Sequence, residues 1–410
     1  MSKGIILGID FSKNYTQMAY FDEEGIPQSI SLGTEDNYLI PTLVCYNSDL
    51  KEWSAGEEAV NKGSLENSRL YDSLPELFSD ESCKDIDEIM TTYMSYLLKI
   101  AINYCDGRLV KKILLTVEDV NPSIIEGLTK VFVELGYNDE DIKIISHSES
   151  FVYYALNQNK DIWVNQVYFL NFTEYDFSCR KLNVMKNKQI HVADVSVESL
   201  SDKLTFEEMK KDPKKADEIV AEYMEDQTAK HIVSGVYLSG EGFYEEGWEK
   251  TIAVLCKNRR VFKGNNLIVK GAVYGAREFF YTPVLEEYLI SCKGRTRVKV
   301  TMEVKHNERD HFVTLSNIGD YWYQARSKVE CILEEKTEAC FEIHDIINRR
   351  NEKFKIDLSG FPKRPPKTTR IEVDFKYVNE NVIEVEIKDL GFGEFFKATD
   401  TSVKKQVSIQ

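Results

Sequence analysis

Apolar residues first recur as two short blocks, 4–10 and 15–21, separated by the polar turn Phe11-Ser12-Lys13-Asn14 and followed by the turn Asp22-Glu23-Glu24-Gly25. Short apolar runs between turn-forming clusters predict extended strands, so the chain opens as a strand meander. Residues 40–46 predict another strand. From Met90 the period changes: Met90, Met94, Leu97, Leu98 and Ala101 recur at helical spacing up to Asp106-Gly107, predicting a helix over 90–104. A strand over 112–117, a helix over 122–135 closed by Gly136, a strand over 142–146 and a helix over 149–157 then alternate. Such βαβα order implies a mostly parallel sheet with helices on its faces.

A second meander follows, with strands over 164–171, 177–185 and 189–195 joined by the turns Thr173-Glu174-Tyr175 and Lys186-Asn187-Lys188. Helices are predicted over 199–211, 214–230, 245–257 and 267–280, with a strand over 232–239 between the second and third. The plan of the first half is thereby repeated. Gly271-Ala272 and Gly275-Ala276 in the last helix are small residues that permit close helix packing. Beyond Pro283 the texture changes to period-2 runs at 297–305, 312–317, 328–333, 340–344, 353–358, 370–377 and 382–388, which predict a β-sandwich.

Composition sharpens the division. Over 410 residues, 42% hydrophobic and 11% aromatic content suits a packed protein of two or three units. The net charge of −16 is uneven: residues 1–290 hold 30 Lys+Arg against 48 Asp+Glu, whereas 291–410 hold 22 against 20. An acidic first unit argues against a nucleic-acid partner, which needs a basic stripe. The opening apolar run over 5–9 is too short for a signal segment or a membrane span, so a soluble cytoplasmic protein is expected, with no membrane partner. Eight cysteines lie scattered without metal spacing, and reduced, mostly buried thiols are expected.

Several blocks resemble one family. Gly8-Ile9-Asp10-Phe11-Ser12-Lys13-Asn14-Tyr15 resembles the first phosphate loop of the actin and seventy-kilodalton heat-shock (DnaK) superfamily, with Ser12, Lys13 and Asn14 where that family has Gly, Thr and Thr. Residues 40–46 and Gly56-Glu57-Glu58-Ala59 are similar to its Pro-Ser-x-x-x-Phe strand and Gly-x-x-Ala helix start. Residues 112–117 and 143–146 resemble its Val-Ile-Thr-Val-Pro segment and the strand before its connecting helix, where His147 replaces the usual acidic residue. Asn171-Phe172-Thr173-Glu174-Tyr175-Asp176-Phe177-Ser178 stands in place of the glycine-rich second phosphate loop. Residues 236–242 and 271–276 are similar to the adenosine-proximal motifs, and 354–362, 370–375 and 382–387 to the peptide-binding sandwich. The adenine-covering insertion and the helical lid have no counterpart.

The resemblance implies an α/β, two-lobed actin-like (ribonuclease H-like) domain over 1–285, followed by an all-β sandwich over 286–410. It places Asp10, Ser12, Lys13, Asn14, Tyr15, Gly240 and Gly242 at a nucleotide cleft, with Asp10 a water-mediated Mg²⁺ ligand and Lys13 a cation substituting at a phosphate. Plain turn-forming roles are the alternative for both. Loss of glycines and carboxylates implies a DnaK-like pseudo-ATPase, a non-hydrolysing chaperone-like scaffold without catalytic residues or a metal site of its own. The alternatives are an ATP-dependent chaperone whose altered loops hold ATP or ADP with Mg²⁺, and a filament-forming actin relative. A protein or peptide partner is expected, with Phe312, Leu315, Ile332 and Phe341 as groove candidates against a core role, and Pro362-Lys363-Arg364-Pro365-Pro366-Lys367 as a docking turn against a solvated loop. His147 and Glu149 are a candidate proton-handling pair.

Overall fold

The computed structural model describes residues 4–22, 24–33, 37–186, 191–264, 266–306, 309–333 and 337–409. The chain forms two compact units, Met1–Tyr288 and Leu289–Gln410. The predicted turn over 186–188 and the start of the strand predicted from 189 fall largely outside the described residues.

The first unit contains one topology twice. Strands β1 (Ile5–Phe11), β2 (Tyr15–Phe21) and β3 (Pro27–Ser29) form an antiparallel meander. β4 (Ile40–Pro41) pairs with β2, while β5 (Val44–Asn47), β6 (Glu52–Ala55) and β7 (Ser68–Tyr71) form a separate small sheet beside helix α1 (Glu57–Lys62). After α2 (Ile86–Tyr104), β8 (Val110–Val117) enters parallel to β1; after α3 (Pro122–Glu134), β9 (Ile142–Ser146) enters parallel to β8, giving the order β3-β2-β1-β8-β9. Helix α4 (His147–Leu156) and the short α5 (Lys160–Trp163) close this half.

The second half repeats the sequence of events. β10 (Gln166–Phe172), β11 (Phe177–Met185) and β12 (His191–Ser199) form the meander; helices α6 (Phe206–Lys211) and α7 (Pro213–Lys230) precede β13 (Val233–Ser239); α8 (Glu249–Leu255) precedes β14 (Arg260–Lys263); α9 (Leu267–Phe280) ends the half. The order β14-β13-β10-β11-β12 mirrors the first sheet, with β13 parallel to β10 and β14 parallel to β13.

The closing helices are exchanged. α4, from the first half, sets Phe151 and Tyr154 against Phe169 and Tyr237 of the second sheet, with ring centroids 5.4 and 5.5 Å apart. α9, from the second half, lays Val269 and Val273 over β1 and β2, where Gly8 makes room: a Cβ there would stand 2.7 Å from Val273. The two helices meet at Gly271, where a Cβ would lie 2.1 Å from the Ser150 carbonyl oxygen, and Ser150 Oγ donates to Ile268 O at 2.6 Å. The small residues of α9 are thus there for helix contact.

Several expectations need correction. The strand predicted over 40–46 is two strands in different sheets, broken at Thr42-Leu43, where Thr42 N still donates to Asn14 O beside β2 but Leu43 O already accepts from Gly56 N. The helix predicted over 199–211 begins only at Phe206, where Thr205 and Glu208 form a capping box; Leu200 and Leu204 before it are core residues held in a turn. Half of the eight cysteines are buried, Cys256 is exposed, and none forms a disulfide. Among the described residues no helix is long and apolar enough to cross a membrane.

β15 (Tyr288–Ser291) stands at the junction of the units. The second unit is all strand: β16 (Lys299–His306), β17 (Arg309–Ser316), β18 (Arg326–Leu333), β19 (Glu338–Asp345), β20 (Arg350–Asp357), β21 (Thr369–Asn379), β22 (Val382–Gly391) and β23 (Ser402–Ser408). They form two antiparallel sheets, β17-β16-β19-β20 and β18-β21-β22-β23, that share one apolar core including Val300, Phe341, Ile356, Val373, Phe375 and Val385.

The 362–367 turn is anchored rather than free. Arg364, its side chain 6% exposed, makes a two-pronged pair with the fully buried Asp389 at 2.7 and 2.8 Å and also donates to Lys397 O. Burial would raise the Asp389 pKa, but Arg364 and the donors of Gly391 and Thr399 hold it far below the usual carboxylate range. This stabilisation is present above the unfolded carboxyl pKa and is lost as pH falls below it. Arg364→Ala, which strands a buried charge, is expected to destabilise this unit by about 3–5 kcal/mol in denaturant titrations at neutral pH. Asp389→Asn, which leaves the buried Arg364 cation without its counter-charge but removes the titrating carboxyl, should flatten the loss of stability on acidification.

Candidate functional site

The parallel register β1–β8–β9 brings three strand ends together: Asp10 pairs with Thr116, and Val117 pairs with Ser146. Ser146 caps α4 by accepting from Glu149 N at 3.1 Å, so the helix starts at His147 directly beside the ends of β1 and β8. His147 is 7% exposed. Its Nε2 lies 3.0 Å from Asp10 Oδ1, an ion-pair contact off the line of a good hydrogen bond, and its Nδ1 lies 2.9 Å from Glu118 Oε2. Arg180, on β11 of the second half and 1% exposed, reaches the same Glu118 oxygen and also donates to Ser178 Oγ. Ser12 Oγ donates to Asp10 Oδ1 at 2.7 Å. The result is a chain of alternating charge, Asp10–His147–Glu118–Arg180, running from one half to the other, in which Asp10, His147 and Arg180 are buried and the Glu118 side chain is about half exposed. Among the described residues no group of three or more His, Cys, Asp or Glu side chains is arranged to hold a metal ion.

Burial alone would lower the His147 pKa. The charge and contact of Asp10, followed by those of Glu118, outweigh it and raise the imidazole to about 9. His147 is therefore a cation at neutral pH. Glu149, paired with it in the sequence reading, instead receives the Tyr153 hydroxyl at 3.1 Å.

The other predicted residues lie around this chain. Lys13 Nζ bonds Glu76 Oε1 at 2.8 Å and stands 5.2 Å from the ring centre of Tyr175, in the turn between β10 and β11. Asn14 C=O accepts from Thr42 N. Tyr15 is partly exposed, and its phenol is raised by burial and by the charges of Glu241, Glu174 and Glu57. Gly240 and Gly242 face Phe172: a Cβ at Gly240, whose φ is +92°, would come within 2.2 Å of the Phe172 carbonyl oxygen, and one at Gly242 within 2.5 Å of its ring. Phe172 stacks on Phe177 and meets Phe206, Phe243 and Trp248 edge-on, a packed aromatic cluster.

In the turn after Phe172 the amides of Thr173, Asp176 and Phe177 are occupied internally. Thr173 Oγ1 accepts from Asp176 N, Thr173 N donates to Asp176 O, and Phe177 N donates to Ser201 Oγ. Glu118 and Arg180 were not singled out by sequence reasoning. The available signals were a charge directly after the apolar run 113–117 and an arginine at an inward position of a strand. In the second unit, Leu315 and Phe341 are core residues, whereas Phe312 and Ile332 are about half exposed on β17 and β18.

A family model described as "Family of unknown function (DUF5716) C-terminal" matches residues 26–293, and the chain belongs to that family. A second, "Domain of unknown function (DUF8552)", matches residues 295–409, so the two matches meet close to the junction of the structural units. No curated protein matches the chain.

The raised His147 pKa has a definite sign in stability. A cation favoured in the folded state contributes fully below the unfolded pKa near 6.5, and the contribution is lost as pH rises through about 9. His147→Gln should cost on the order of 3 kcal/mol at pH 6 and approach wild type above pH 9.5, by the linkage between pKa and stability. Urea unfolding followed by tryptophan fluorescence over this pH range checks it; parallel curves for the two proteins would remove the assigned charge.

Proposed function

We propose that residues 4–288 are an actin/DnaK-type two-lobed platform that does not turn over ATP, and that with the C-terminal β-unit they serve as a chaperone-like protein-interaction scaffold. The observation that carries this reading is the buried His147 cation between Asp10 and Glu118, at the strand ends where the resemblance would put Mg²⁺. A protein cation already neutralises the carboxylates that a metal would need, and bringing a second cation there meets like charge in a low-dielectric setting. The duplicated strand order and exchanged closing helices support the two-lobed reading.

Mg-nucleotide does not fit these residues. Phosphate cradles need several free backbone N–H groups in close approach. In the turn after Phe172 the amides of Thr173, Asp176 and Phe177 are bonded within the protein, the space before Gly240 and Gly242 is filled by Phe172, and Lys13 is engaged by Glu76. Glu241 and Glu174 add negative charge near Tyr15, which opposes a polyphosphate. For the scaffold role, the support is the half-exposed Phe312 and Ile332 on the second unit; large apolar side chains left in water are what a peptide partner would cover.

Isothermal titration with Mg-ATP and Mg-ADP, run beside a phosphate-release assay, is expected to give no saturable heat and no turnover. Micromolar binding with phosphate release would replace this reading with the ATP-dependent chaperone.

A further inference from the structure

The loop joining β22 to β23 in the second unit puts phenylalanine into water. Phe395 is 94% exposed and Phe392 41%, on a turn closed by Phe392 N donating to Phe396 O at 2.6 Å. Gly391 takes the left-handed backbone this turn requires, with φ +65°, and a Cβ there would stand 2.3 Å from Phe396 O. The loop does not hang free. Asp389 accepts from Gly391 N and from both the N–H and the hydroxyl of Thr399, while Arg364, paired with Asp389, donates to Lys397 O. Both ends of the loop are therefore tied to one buried ion pair, and the phenylalanines are held outward with little left to order on binding. Apolar side chains so exposed are what a partner covers, and aromatic rings carry a large share of interface energy.

The charges beside Phe395 select the partner. Glu394 precedes it and Lys397 follows two residues later; both are exposed, and among the described residues neither side chain is in an ion pair. The unit around them is close to balance, with 22 Lys+Arg against 20 Asp+Glu over 291–410. An anionic bilayer or a nucleic acid calls for one sign of charge, and a carboxylate at the tip opposes both. An apolar side chain set between an anion and a cation complements its own copy. About a twofold axis, Glu394 of each chain meets Lys397 of the other while the two Phe395 rings come together at the centre.

We propose that this loop is a self-association surface, through which two copies of the chain join about a twofold axis, with Phe392 and Phe395 as the apolar centre and Glu394 and Lys397 as reciprocal ion pairs at its rim. The inference goes beyond the scaffold reading and holds or fails separately from it, since it uses neither the charged strand ends of the first unit nor Phe312 and Ile332.

The test is sedimentation velocity of the full chain across a range of concentrations. A contact between two short loops is small, so a monomer–dimer equilibrium with a dissociation constant of about 1–100 µM is expected. Phe395→Ser should weaken it by at least about tenfold, which corresponds to about 1.4 kcal/mol. Because that ring is almost wholly in water, the variant should keep the wild-type denaturation curve. Glu394→Lys and Lys397→Glu should each weaken self-association, and an equimolar mixture of the two variants should restore it, since opposite charges then face one another at both contacts. A loop needed only for folding would show no such rescue. A chain that stays monomeric up to millimolar concentration would overturn the inference. So would a dimer unchanged by Phe395→Ser, or a mixture that fails to restore association. Cosedimentation of a monomeric chain with phosphatidylserine vesicles, abolished by Phe395→Ser, would likewise overturn it by assigning the loop to a bilayer.

Discussion

A histidine held as a cation between two carboxylates constrains most of what surrounds it. His147 can keep its charge in the interior only while Asp10 and Glu118 stay within contact, and Glu118 in turn is held by Arg180 from the other half. Removing Glu118 or Asp10 leaves a buried cation short of a partner, since His147 and Arg180 are both shut away from water, an outcome far costlier than losing an exposed pair. The ends of β1, β8 and β9, the start of α4 and an interior position of β11 are therefore tied to one another by charge as well as by packing. The exchange of α4 and α9 works in the same direction, because each closing helix rests on the sheet of the opposite half.

The apolar code of the regular elements was legible in the chain. β9, β11 and α9 have the bounds that the periodicity predicts, since each has a buried face with a clear repeat. β14 was not legible: Arg260–Lys263 is an edge strand, largely exposed, and an edge with no buried face leaves no apolar run to read. The division of 40–46 follows from a change of partner at Thr42-Leu43 that no apolar run announces, and the late start of α6 from a Thr205–Glu208 capping box that was visible in the sequence but outweighed by Leu200 and Leu204. β23, an edge strand, carries only Val403 and Val407 against the core, with the exposed pair Lys404-Lys405 between them, too few apolar positions to form a readable run.

The charged site was half legible. Asp10 and His147 stand out because the resemblance singles out their positions, and their contact follows from strand register. Glu118 and Arg180 come together across residues far apart in sequence, and no local pattern signals a pair formed by two sheets meeting. Arg364 was obscured by its basic, proline-rich neighbours, which look solvated, although its partner Asp389 lies in the interior of the second unit. Ion pairs of this sort depend on tertiary geometry, whereas the apolar stripe of a helix or strand is written within a dozen residues.

The chain keeps a two-halved architecture in which His147 stands between Asp10 and Glu118 at the strand ends of the first half, and Arg180 of the second half reaches the same Glu118. The most direct measurement of this account is an NMR titration of the His147 imidazole carbons in the intact chain. The account predicts chemical shifts of the protonated ring through neutral pH, with the transition near pH 9. A transition at or below the ordinary histidine value near 6.5 would contradict it.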